Sequence, residues 1–386
     1  SLKQSNLMSI QELNLQLKNY FESKDFTYVD LPLVFDSDVF YEMSGEILRK
    51  QMYSFYDNSG KEKCLRPDLT IPVCHNYITN SQKFKSGKLC YSGPVFRSST
   101  ESEGSVELNQ SGVEIIYEDN RNESQLINDI EIIQNALETL KNIGIEKINL
   151  RLGNLKYFMN FISVLNLPQR WKERLSRHYF RKDYFETLLA RLSRGVGYDS
   201  QQRDKIIKEI LGTETTNSEH LKKIIEEKNI FKSSRTTSEI IDRFNQKADM
   251  IIQKEDGLKI VELIREYQKI NGNIDDYNQN LNKFIMDYDL NDFEDNTETL
   301  NKLNELCSSS KSVNEVIFLN NFRNTIEFYD GLIFEIFDTS GTYRLISGGR
   351  YDKLLKSLGS DEQLCAVGFA TYNNEINKYL ESKSNG

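Results

Sequence analysis

Strand patterns occupy both ends of this chain, and a long helical stretch separates them. Residues with strand-like spacing lie between Tyr28 and Leu152 and again between Val316 and Thr371, whereas residues 154 to 306 carry almost continuous helical spacing. The strands follow one another at hairpin spacing, without regular strand–helix–strand alternation, which favours antiparallel pairing. The sequence therefore predicts an α+β fold: a mainly antiparallel sheet flanked by helices, with an inserted helical region.

Several elements can be placed within this plan. The stretch from Tyr28 to Leu65 has a strand-like pattern, with a hairpin turn at residues 57–60. Two long strands are expected at residues 88–97 and 106–117, with a polar loop between them. Helical spacing predicts helices at residues 10–21, 71–78, 126–140 and 353–358.

Composition narrows the class of protein. At 386 residues the chain can form two or three domains, and 21 Phe and 20 Tyr supply an aromatic interior. Its apolar runs are too short to span a membrane, and no signal-peptide pattern opens it. Five scattered cysteines indicate reduced thiols, and three dispersed histidines give no metal-site pattern. We therefore expect a soluble cytoplasmic protein that needs no metal or cofactor.

The charge of the chain bears on its partners. A formal net charge of −9 argues against binding a long polyanion, because proteins that do so normally present a basic face. One basic stretch, from Arg170 to Arg194, is a local exception. It is interpreted as a solvated helix face, and a docking surface for an acidic partner is the alternative.

Three polar clusters in the first part of the chain are spaced like parts of one small-ligand pocket. They lie at residues 65–70, 92–97 and 110–114. On a strand, Gln110, Gly112 and Glu114 would share one face, which leaves a side-chain-free floor where a small cation could sit. Asp68 could add a second carboxylate and Arg97 a planar cation, a set that suits an amino acid. Taken alone, the alternation more often marks a strand face that meets water.

Five short motifs resemble the catalytic core of histidyl-tRNA synthetase and of its paralogue, the regulatory subunit of ATP phosphoribosyltransferase. In chain order they are Leu-Arg-Pro-Asp-x-Thr at 65–70, Gly-x-x-Phe-Arg at 93–97, Gln-x-Gly-x-Glu at 110–114, Tyr-x-Gly-x-x-Phe-Glu at 329–335 and Gly-Gly-Arg-Tyr-Asp at 348–352. Each motif is weak by itself, but five in this order identify the family. The helical middle resembles, more loosely, the helical segment of the shorter regulatory subunits.

The resemblance implies a fold and a domain plan. The fold would be class II aminoacyl-tRNA synthetase-like, with the core divided between residues 1–153 and 311–386 and a helical insertion at 154–310. Because the chain ends shortly after Glu375, we expect no carboxy-terminal anticodon-binding domain. Together with the acidic net charge, this predicts that the protein does not bind tRNA.

The resemblance also implies a histidine pocket, because this chain keeps suitable side chains where the synthetase family holds its amino acid. The implied pocket residues are Asp68, Thr70, Arg97, Gln110, Glu114, Tyr329 and Tyr351. Asp68 replaces a Glu and is one methylene shorter, so its carboxylate reaches less far toward an ammonium group.

The positions implied to bind ATP depart from the family pattern. Ser99 stands in place of a Glu, Glu375 in place of an Arg that closes the core, and Asn324 in place of a catalytic Arg, for which Arg323 could substitute. The loop at residues 100–107 carries acidic groups where cations would face the triphosphate. Because adenylate formation depends on cations set against developing charge, these changes predict no aminoacylation and no catalytic residue.

The resulting expectation is a non-catalytic regulatory subunit of ATP phosphoribosyltransferase in histidine biosynthesis. The resemblance implies that it dimerises, joins the short catalytic subunit in a hetero-oligomer, activates that subunit and contributes to feedback inhibition by L-histidine. Histidine could occupy the synthetase-like pocket or the inter-subunit interface. Two alternatives are a divergent histidyl-tRNA synthetase or other histidine-adenylating enzyme, and a free-standing amino-acid sensor with a different partner.

Overall fold

The computed structural model describes most of the chain, and these residues form two compact units. The described residues are 8–41, 45–80, 84, 87–98, 106–118, 121–196, 250–294, 296–322 and 328–384. The first unit, called the sheet unit, comprises those up to Tyr157, those from Ile270 to Asp287 and those from Glu294 onward. The second, called the helical unit, comprises those from Phe158 to Lys269 and from Tyr288 to Phe293.

Two sheets organise the sheet unit. The strands, in chain order, are β1 (Thr27–Tyr28), β2 (Val34–Asp36), β3 (Ser54–Tyr56), β4 (Glu62–Leu65), β5 (Lys88–Phe96), β6 (Glu107–Tyr117), β7 (Ile148–Asn154), β8 (Asn271–Gly272), β9 (Val313–Leu319), β10 (Leu332–Asp338), β11 (Arg344–Arg350) and β12 (Cys365–Tyr372). The large sheet has nine strands in the order β1-β5-β6-β12-β11-β10-β7-β9-β8, and the small sheet has the order β2-β4-β3.

Pairing within the large sheet is mainly antiparallel, which confirms the prediction from hairpin spacing. Only β1 with β5 and β7 with β9 run parallel among the described strands. In the centre, β6 pairs with β12 so that Glu114 lies opposite Gly368 and Gly112 opposite Ala370. The same register places Gln110, Gly112 and Glu114 on one face of the sheet, as their spacing predicts.

Helices of the sheet unit cover the other face of the large sheet. In chain order the helices are α1 (Ile10–Ser23), α2 (Asp38–Tyr41), α3 (Gly45–Gln51), α4 (Thr70–Thr79), α5 (Asn122–Asn142), α6 (Leu155–Val164), α7 (Gln169–His178), α8 (Lys182–Ser193), α9 (Lys254–Lys269), α10 (Ile274–Asp287), α11 (Thr297–Ser309), α12 (Asp352–Ser357) and α13 (Asn373–Ser384). Phe21 of α1 meets Phe369 of β12 edge-on at 6.1 Å between ring centroids. Asn373 of α13 donates its amide to the Ser111 hydroxyl at 2.8 Å.

The first helix illustrates how local sequence sets an element. Ser9 and Glu12 form a capping box, in which the Glu12 N–H donates to the Ser9 hydroxyl at 3.2 Å and the Ser9 N–H donates to the Glu12 carboxylate at 2.7 Å. Leu13, Leu17 and Phe21 follow four residues apart and are buried. The helix predicted at residues 10–21 is therefore confirmed, as are those near 71–78, 126–140 and 353–358.

Aromatic side chains fill the core of the helical unit. The ring of Phe161 stacks on that of Tyr267 at 4.1 Å, and the ring of Phe158 stacks on that of Tyr179 at 3.8 Å. Trp171 is buried and donates its indole N–H to the Met250 carbonyl at 2.9 Å. In the basic stretch from 170 to 194, the buried side chains are thus apolar. Its Arg177, Arg181 and Arg191 side chains are exposed, as expected of a solvated helix face.

One expectation was wrong: the stretch from Tyr28 to Leu65 is not strand throughout. The hairpin of β3 and β4 forms around residues 57–60, but α2 and α3 interrupt the strands before it. Phe35 and Phe40 explain the interruption, since their rings meet edge-on at 5.9 Å. Residues five apart point to opposite faces of a continuous strand, and the helical turn of α2 brings both rings together.

The predicted helical insertion at 154–310 includes residues 270–287, which the structure groups with the sheet unit. They belong to the sheet unit because β8 pairs with β9 and because the Tyr277 hydroxyl donates to the Asn320 side chain at 2.6 Å. The domain limits at 153 and 310 stay a prediction. Among the described residues, no helix has both the length and the apolar character that crossing a membrane requires.

A buried guanidinium joins three elements of the sheet unit. Arg350, at the end of β11, donates to the Asp129 carboxylate of α5 at 2.7 Å and to Asp352 of α12 at 2.9 Å. It also donates to the Tyr117 hydroxyl of β6 at 2.8 Å and to the Gln125 carbonyl at 3.0 Å. Although burial opposes its charge, the carboxylates of Asp129 and Asp352 raise the pKa of Arg350. Arg350 therefore stays charged and holds α5 and α12 to the sheet.

We expect Arg350→Ala to lower the free energy of unfolding by about 3–5 kcal/mol, because it leaves the Asp129 carboxylate buried without its cation. Denaturant unfolding of both proteins measures this loss. Lys24→Ala is the control, since the Lys24–Glu138 pair is half-exposed and its loss should cost less than about 1 kcal/mol. Equal losses in the two variants would contradict a buried anchoring role for Arg350.

Candidate functional site

The centre of the predicted pocket is the Glu114 carboxyl group on β6. Its side chain is 1% exposed. The Tyr91 hydroxyl of β5 donates to its Oε1 atom at 3.2 Å, and the Tyr351 hydroxyl donates to its Oε2 atom. Burial raises the pKa of Glu114 to about 8, even though hydrogen bonds from Tyr351, Thr70 and Tyr91 act in the opposite direction. Near neutral pH this group is therefore mostly protonated in the free chain.

Asp68 supplies the second carboxyl group and also accepts a hydrogen bond from the first turn of α4. It accepts the Ile71 N–H at 3.0 Å, which satisfies one backbone donor of the first helical turn. Burial raises the pKa of Asp68 to about 6, and the positive charge of Arg97 opposes that shift. The negative charge of Asp68 in turn helps to raise the pKa of Glu114. The two carboxyl groups therefore lie in one electrostatic environment.

Three tyrosines enclose these acids. Tyr91, Tyr329 and Tyr351 are buried, and burial raises the pKa of each phenol well above its usual value. All three phenols therefore remain hydrogen-bond donors across the physiological range. The Thr70 hydroxyl lies 3.3 Å from that of Tyr91, which extends the hydrogen-bonded cluster to the start of α4.

The space above Gly112 is not open, as the sequence predicted, but is filled. A Cβ atom at Gly112 would lie 2.5 Å from the Tyr91 hydroxyl oxygen, and one at Gly368 would overlap the Glu114 carboxylate. The space above these two glycines thus holds side chains of the protein itself. The prediction that the glycine leaves room for a bound cation is corrected accordingly, because Tyr91 on the neighbouring strand takes that room.

Arg97 and Gln110 complete the predicted set at its edge. The Arg97 Nε–H donates to the Pro67 carbonyl at 2.7 Å, which ties β5 to the segment that carries Asp68. Gln110 is buried on β6, on the same face as Glu114 and opposite Tyr372. The structure therefore brings Asp68, Thr70, Glu114, Tyr329 and Tyr351 together, with Arg97 and Gln110 beside them.

Sequence reasoning missed three residues of this face: Tyr91, Arg344 and Tyr372, the last of which stands at the glycine of the Gly-x-Glu-Arg motif that closes the synthetase core. Tyr91 was missed because it lies within an apolar strand, and only its pairing opposite Gly112 reveals it. Arg344 donates to the Glu335 carboxylate at 3.0 Å, and its guanidinium lies 4.4 Å from the centroid of the Tyr372 ring. Tyr372 occupies a position where the resemblance implies a glycine, so this substitution was the available signal.

Of the ATP-site departures, those at positions 372 and 375 are among the described residues, as is Glu107 at the end of the loop at 100–107. Glu375 lies in the first turn of α13 and pairs with Lys378 at 2.7 Å. Ser99, most of the loop at 100–107, Arg323 and Asn324 lie outside the described residues.

Comparison with known proteins shows which family and which fold this chain resembles. The family model described as histidyl-tRNA synthetase matches residues 2–256 and 249–376. The ATP phosphoribosyltransferase regulatory subunit of Brucella anthropi is 26% identical over 384 residues, covering 95% of this chain and 96% of the relative. The protein of that name from Brucella canis is 27% identical over 367 residues, covering 92% and 94%.

Solved structures are similar over almost the whole chain. One, named as an ATP phosphoribosyltransferase regulatory subunit/histidyl-tRNA synthetase from Bacillus halodurans, has a TM-score of 0.61 at 16% identity and covers 98% of this chain and 84% of its own. A histidyl-tRNA synthetase from a Nostoc species has a TM-score of 0.57 at 16% identity, covering 98% and 74%. These similarities confirm the predicted class II synthetase-like fold.

The Glu114 carboxyl group predicts a pH-dependent stability. Because its folded pKa of about 8 exceeds the ordinary value of 4.5, the folded chain keeps a proton that the unfolded chain loses. The resulting stability is complete below pH 4.5 and is lost as pH rises through about 8. Between pH 6.5 and 8, the unfolding free energy of the free chain should fall more steeply than that of Glu114→Gln, by up to about 1.4 kcal/mol per pH unit.

Thermal unfolding across this pH range measures the difference, and Asp68 contributes little there because its pKa is about 6. Glu138→Gln, at a half-exposed glutamate, is the control and should keep the slope of the unmodified chain. Identical slopes in all three proteins would mean that Glu114 does not hold a proton in the folded state.

Proposed function

This chain belongs to the histidyl-tRNA synthetase family, and on that premise we propose that it is a non-catalytic regulatory subunit of ATP phosphoribosyltransferase in histidine biosynthesis. Support comes from relatives of that name that match it over more than nine-tenths of both chains. A shared fold alone supports no single function, since synthetases share this one. The choice between regulator and synthetase therefore depends on the residues of the site.

The contrast between the two halves of the site carries the proposal. On the amino-acid side, Glu114 and Asp68 lie close together among tyrosine hydroxyls, and their carboxylates, once ionised, would accept hydrogen bonds from an ammonium group. On the side implied to bind ATP, Tyr372 stands in place of a glycine, and its ring is covered by the Arg344 guanidinium. Glu375 stands there in place of an arginine.

These replacements act directly against adenylate formation. That reaction depends on cations held against the charge that develops at the α-phosphate, in an enclosed site. At position 375 a carboxylate repels the nucleotide instead of holding it. Arg344 is a cation on this face, but its pairing with Glu335 at 3.0 Å already balances its charge. The proposed protein therefore binds an amino acid without activating it.

We further propose that the pocket of Asp68, Thr70, Arg97, Gln110, Glu114, Tyr329 and Tyr351 binds L-histidine. The ligand's ammonium group would pair with Glu114 by displacing a tyrosine hydroxyl, because both carboxyl oxygens are hydrogen-bonded in the free chain. Glu114 would release its proton on binding, and Arg97 would face the ligand's carboxylate. Tyrosine hydroxyls would supply further hydrogen bonds. Histidine at an interface between subunits is the competing location.

Regulation would follow if histidine had different affinities for different assembly states of the complex. If histidine binds one assembly state of the complex better than another, it shifts the population toward that state, with a coupling of about 1–3 kcal/mol in typical cases. The proposed complex contains the short-form catalytic subunit, and this chain as a homodimer within the hetero-oligomer. It would act in the cytoplasm, where its buried free cysteines stay reduced, and without tRNA.

A histidine-adenylating enzyme is the second candidate, and the preserved acidic side of the pocket favours it. Histidine-dependent exchange of pyrophosphate into ATP separates the two functions. The purified chain should show no exchange above background, while a histidyl-tRNA synthetase assayed in parallel does. Measurable exchange would establish the enzyme and exclude the regulatory proposal.

Assembly tests the regulatory function itself. Mixed with a short-form ATP phosphoribosyltransferase catalytic subunit, the chain should sediment as a larger complex and stimulate phosphoribosyl-ATP formation. Added L-histidine should then reduce that activity. Two independently sedimenting species, or unchanged activity, would exclude this partner.

Calorimetric titration with L-histidine tests the pocket separately. Because truncating one partner of a buried charged contact typically costs about 2–5 kcal/mol, Glu114→Ala and Arg97→Ala should each weaken binding by more than tenfold. Glu138→Ala, at a half-exposed glutamate, should leave the affinity unchanged. Binding that survives both pocket substitutions would locate histidine outside this pocket.

A further inference from the structure

A cavity of about 350 Å³ lies in the sheet unit, at the end of the sheet where β7 and β11 end and β10 begins. Its walls include Asn154 of β7, Arg350 of β11, Leu332 of β10 and the first turn of α5. None of the seven predicted pocket residues lines it. Its volume falls in the range of small-molecule sites.

Three helices direct their N-terminal turns at this cavity. Asn122 of α5, Lys156 of α6 and Thr299 of α11 all line it, and each helix has at least ten residues. The N-cap residues of α5 and α11, Arg121 and Asn296, provide no side-chain capping hydrogen bond. Helix N-termini carry partial positive charge and outward-facing N–H donors. Because the Asn154 side chain already accepts the Lys156 N–H of α6 at 3.0 Å, the N-terminal turns of α5 and α11 are the ones that favour an anion.

A buried phenol gives independent support. Tyr157 lines the cavity, is 4% exposed, and its hydroxyl has no hydrogen-bond partner within 3.5 Å among the described residues. Its ring is stacked on that of Phe318 at 5.9 Å, which fixes its direction. Burial raises the pKa of Tyr157, and the cavity-lining Asp129 and Glu294 raise it further, although a weaker interaction of the hydroxyl with the Thr299 side chain, which also lines the cavity, acts to lower it. The phenol is therefore a permanent donor beside the cavity, available to an acceptor that fills it.

Charged side chains divide the cavity into an inner part and a mouth. Lys156 and Lys302 are half-buried. Lys156 donates to the neutral Gln125 side chain at 2.6 Å, whereas Lys302 forms an ion pair with Glu298 at 2.9 Å that balances its charge. The charge of Arg350 is already balanced by Asp129 and Asp352. The remaining lining carboxylates, at Glu123, Glu294 and Glu298, are exposed at the mouth. An anion would therefore sit inside near Lys156, while the exposed acids disfavour a long polyanion.

We propose that this cavity binds a small metabolite through a single phosphate or carboxylate group. The anion accepts hydrogen bonds from the Tyr157 hydroxyl and the N-terminal turns of α5 and α11, and it is held by the charge of Lys156. The exposed carboxylates at the mouth suit hydroxyl or amine groups on the rest of the molecule. This site stands whether or not the proposed function is right.

Titration of the full chain with inorganic phosphate, and separately with acetate, tests the site by calorimetry at constant ionic strength. We expect saturable binding of at least one of the two anions, and the arm that binds identifies the group. Tyr157→Phe and Lys156→Met should each weaken that binding by about tenfold, as the loss of a charge-assisted hydrogen bond does. Lys24→Met, at an exposed lysine, should not.

Stability of the unliganded variants provides the second readout. Tyr157→Phe should unfold at the same denaturant concentration as the unmodified chain, because the hydroxyl it removes makes no hydrogen bond within 3.5 Å. Failure of both anions to bind, or binding that Tyr157→Phe and Lys156→Met leave unchanged, would overturn the proposal.

Discussion

The ion pair between Arg350 and Asp129 is the interaction on which the sheet unit depends. It is buried, and it joins β11 to α5 with the support of Asp352 and Tyr117. The next residue, Tyr351, donates its hydroxyl to Glu114 in the candidate pocket. Two adjacent residues thus tie the helix-covered side of the sheet to its pocket side. The geometry of the candidate pocket is consequently set by an anchor outside it.

Close packing across the pocket face requires residues without side chains. A Cβ atom at Gly349 would lie 2.8 Å from the Tyr329 ring, and one at Gly368 would overlap the Glu114 carboxylate. Because these glycines have no side chain, tyrosine and glutamate side chains pack directly against the sheet. The Glu114 carboxyl group is thereby shielded from water. The raised pKa of Glu114 follows from that packing, and a ligand with an ammonium group would stabilise its charged form.

The proposed function rests on an asymmetry within one inherited site. The acids and phenols of the amino-acid side are assembled around Glu114. Among the positions that the resemblance assigns to ATP, Tyr372 lies under the Arg344 guanidinium and Glu375 pairs with Lys378. The proposed loss of the reaction does not require loss of the fold, because the sheet is held by Arg350 and by apolar packing. A fold that synthetases use to activate an amino acid can therefore also serve a protein that only binds one.

The sequence by itself determined the order of the elements, the antiparallel sheet, the α1 capping box and the motif series that identifies the family. These depend on residues near one another in the chain, where periodicity and capping are local. Only the tertiary structure decided that Tyr91 fills the space above Gly112, that Phe40 turns a predicted strand into α2, and that three helix N-termini meet beside Tyr157. Those features, like the protonation of Glu114, arise from burial and from contacts between distant segments, which no local pattern encodes.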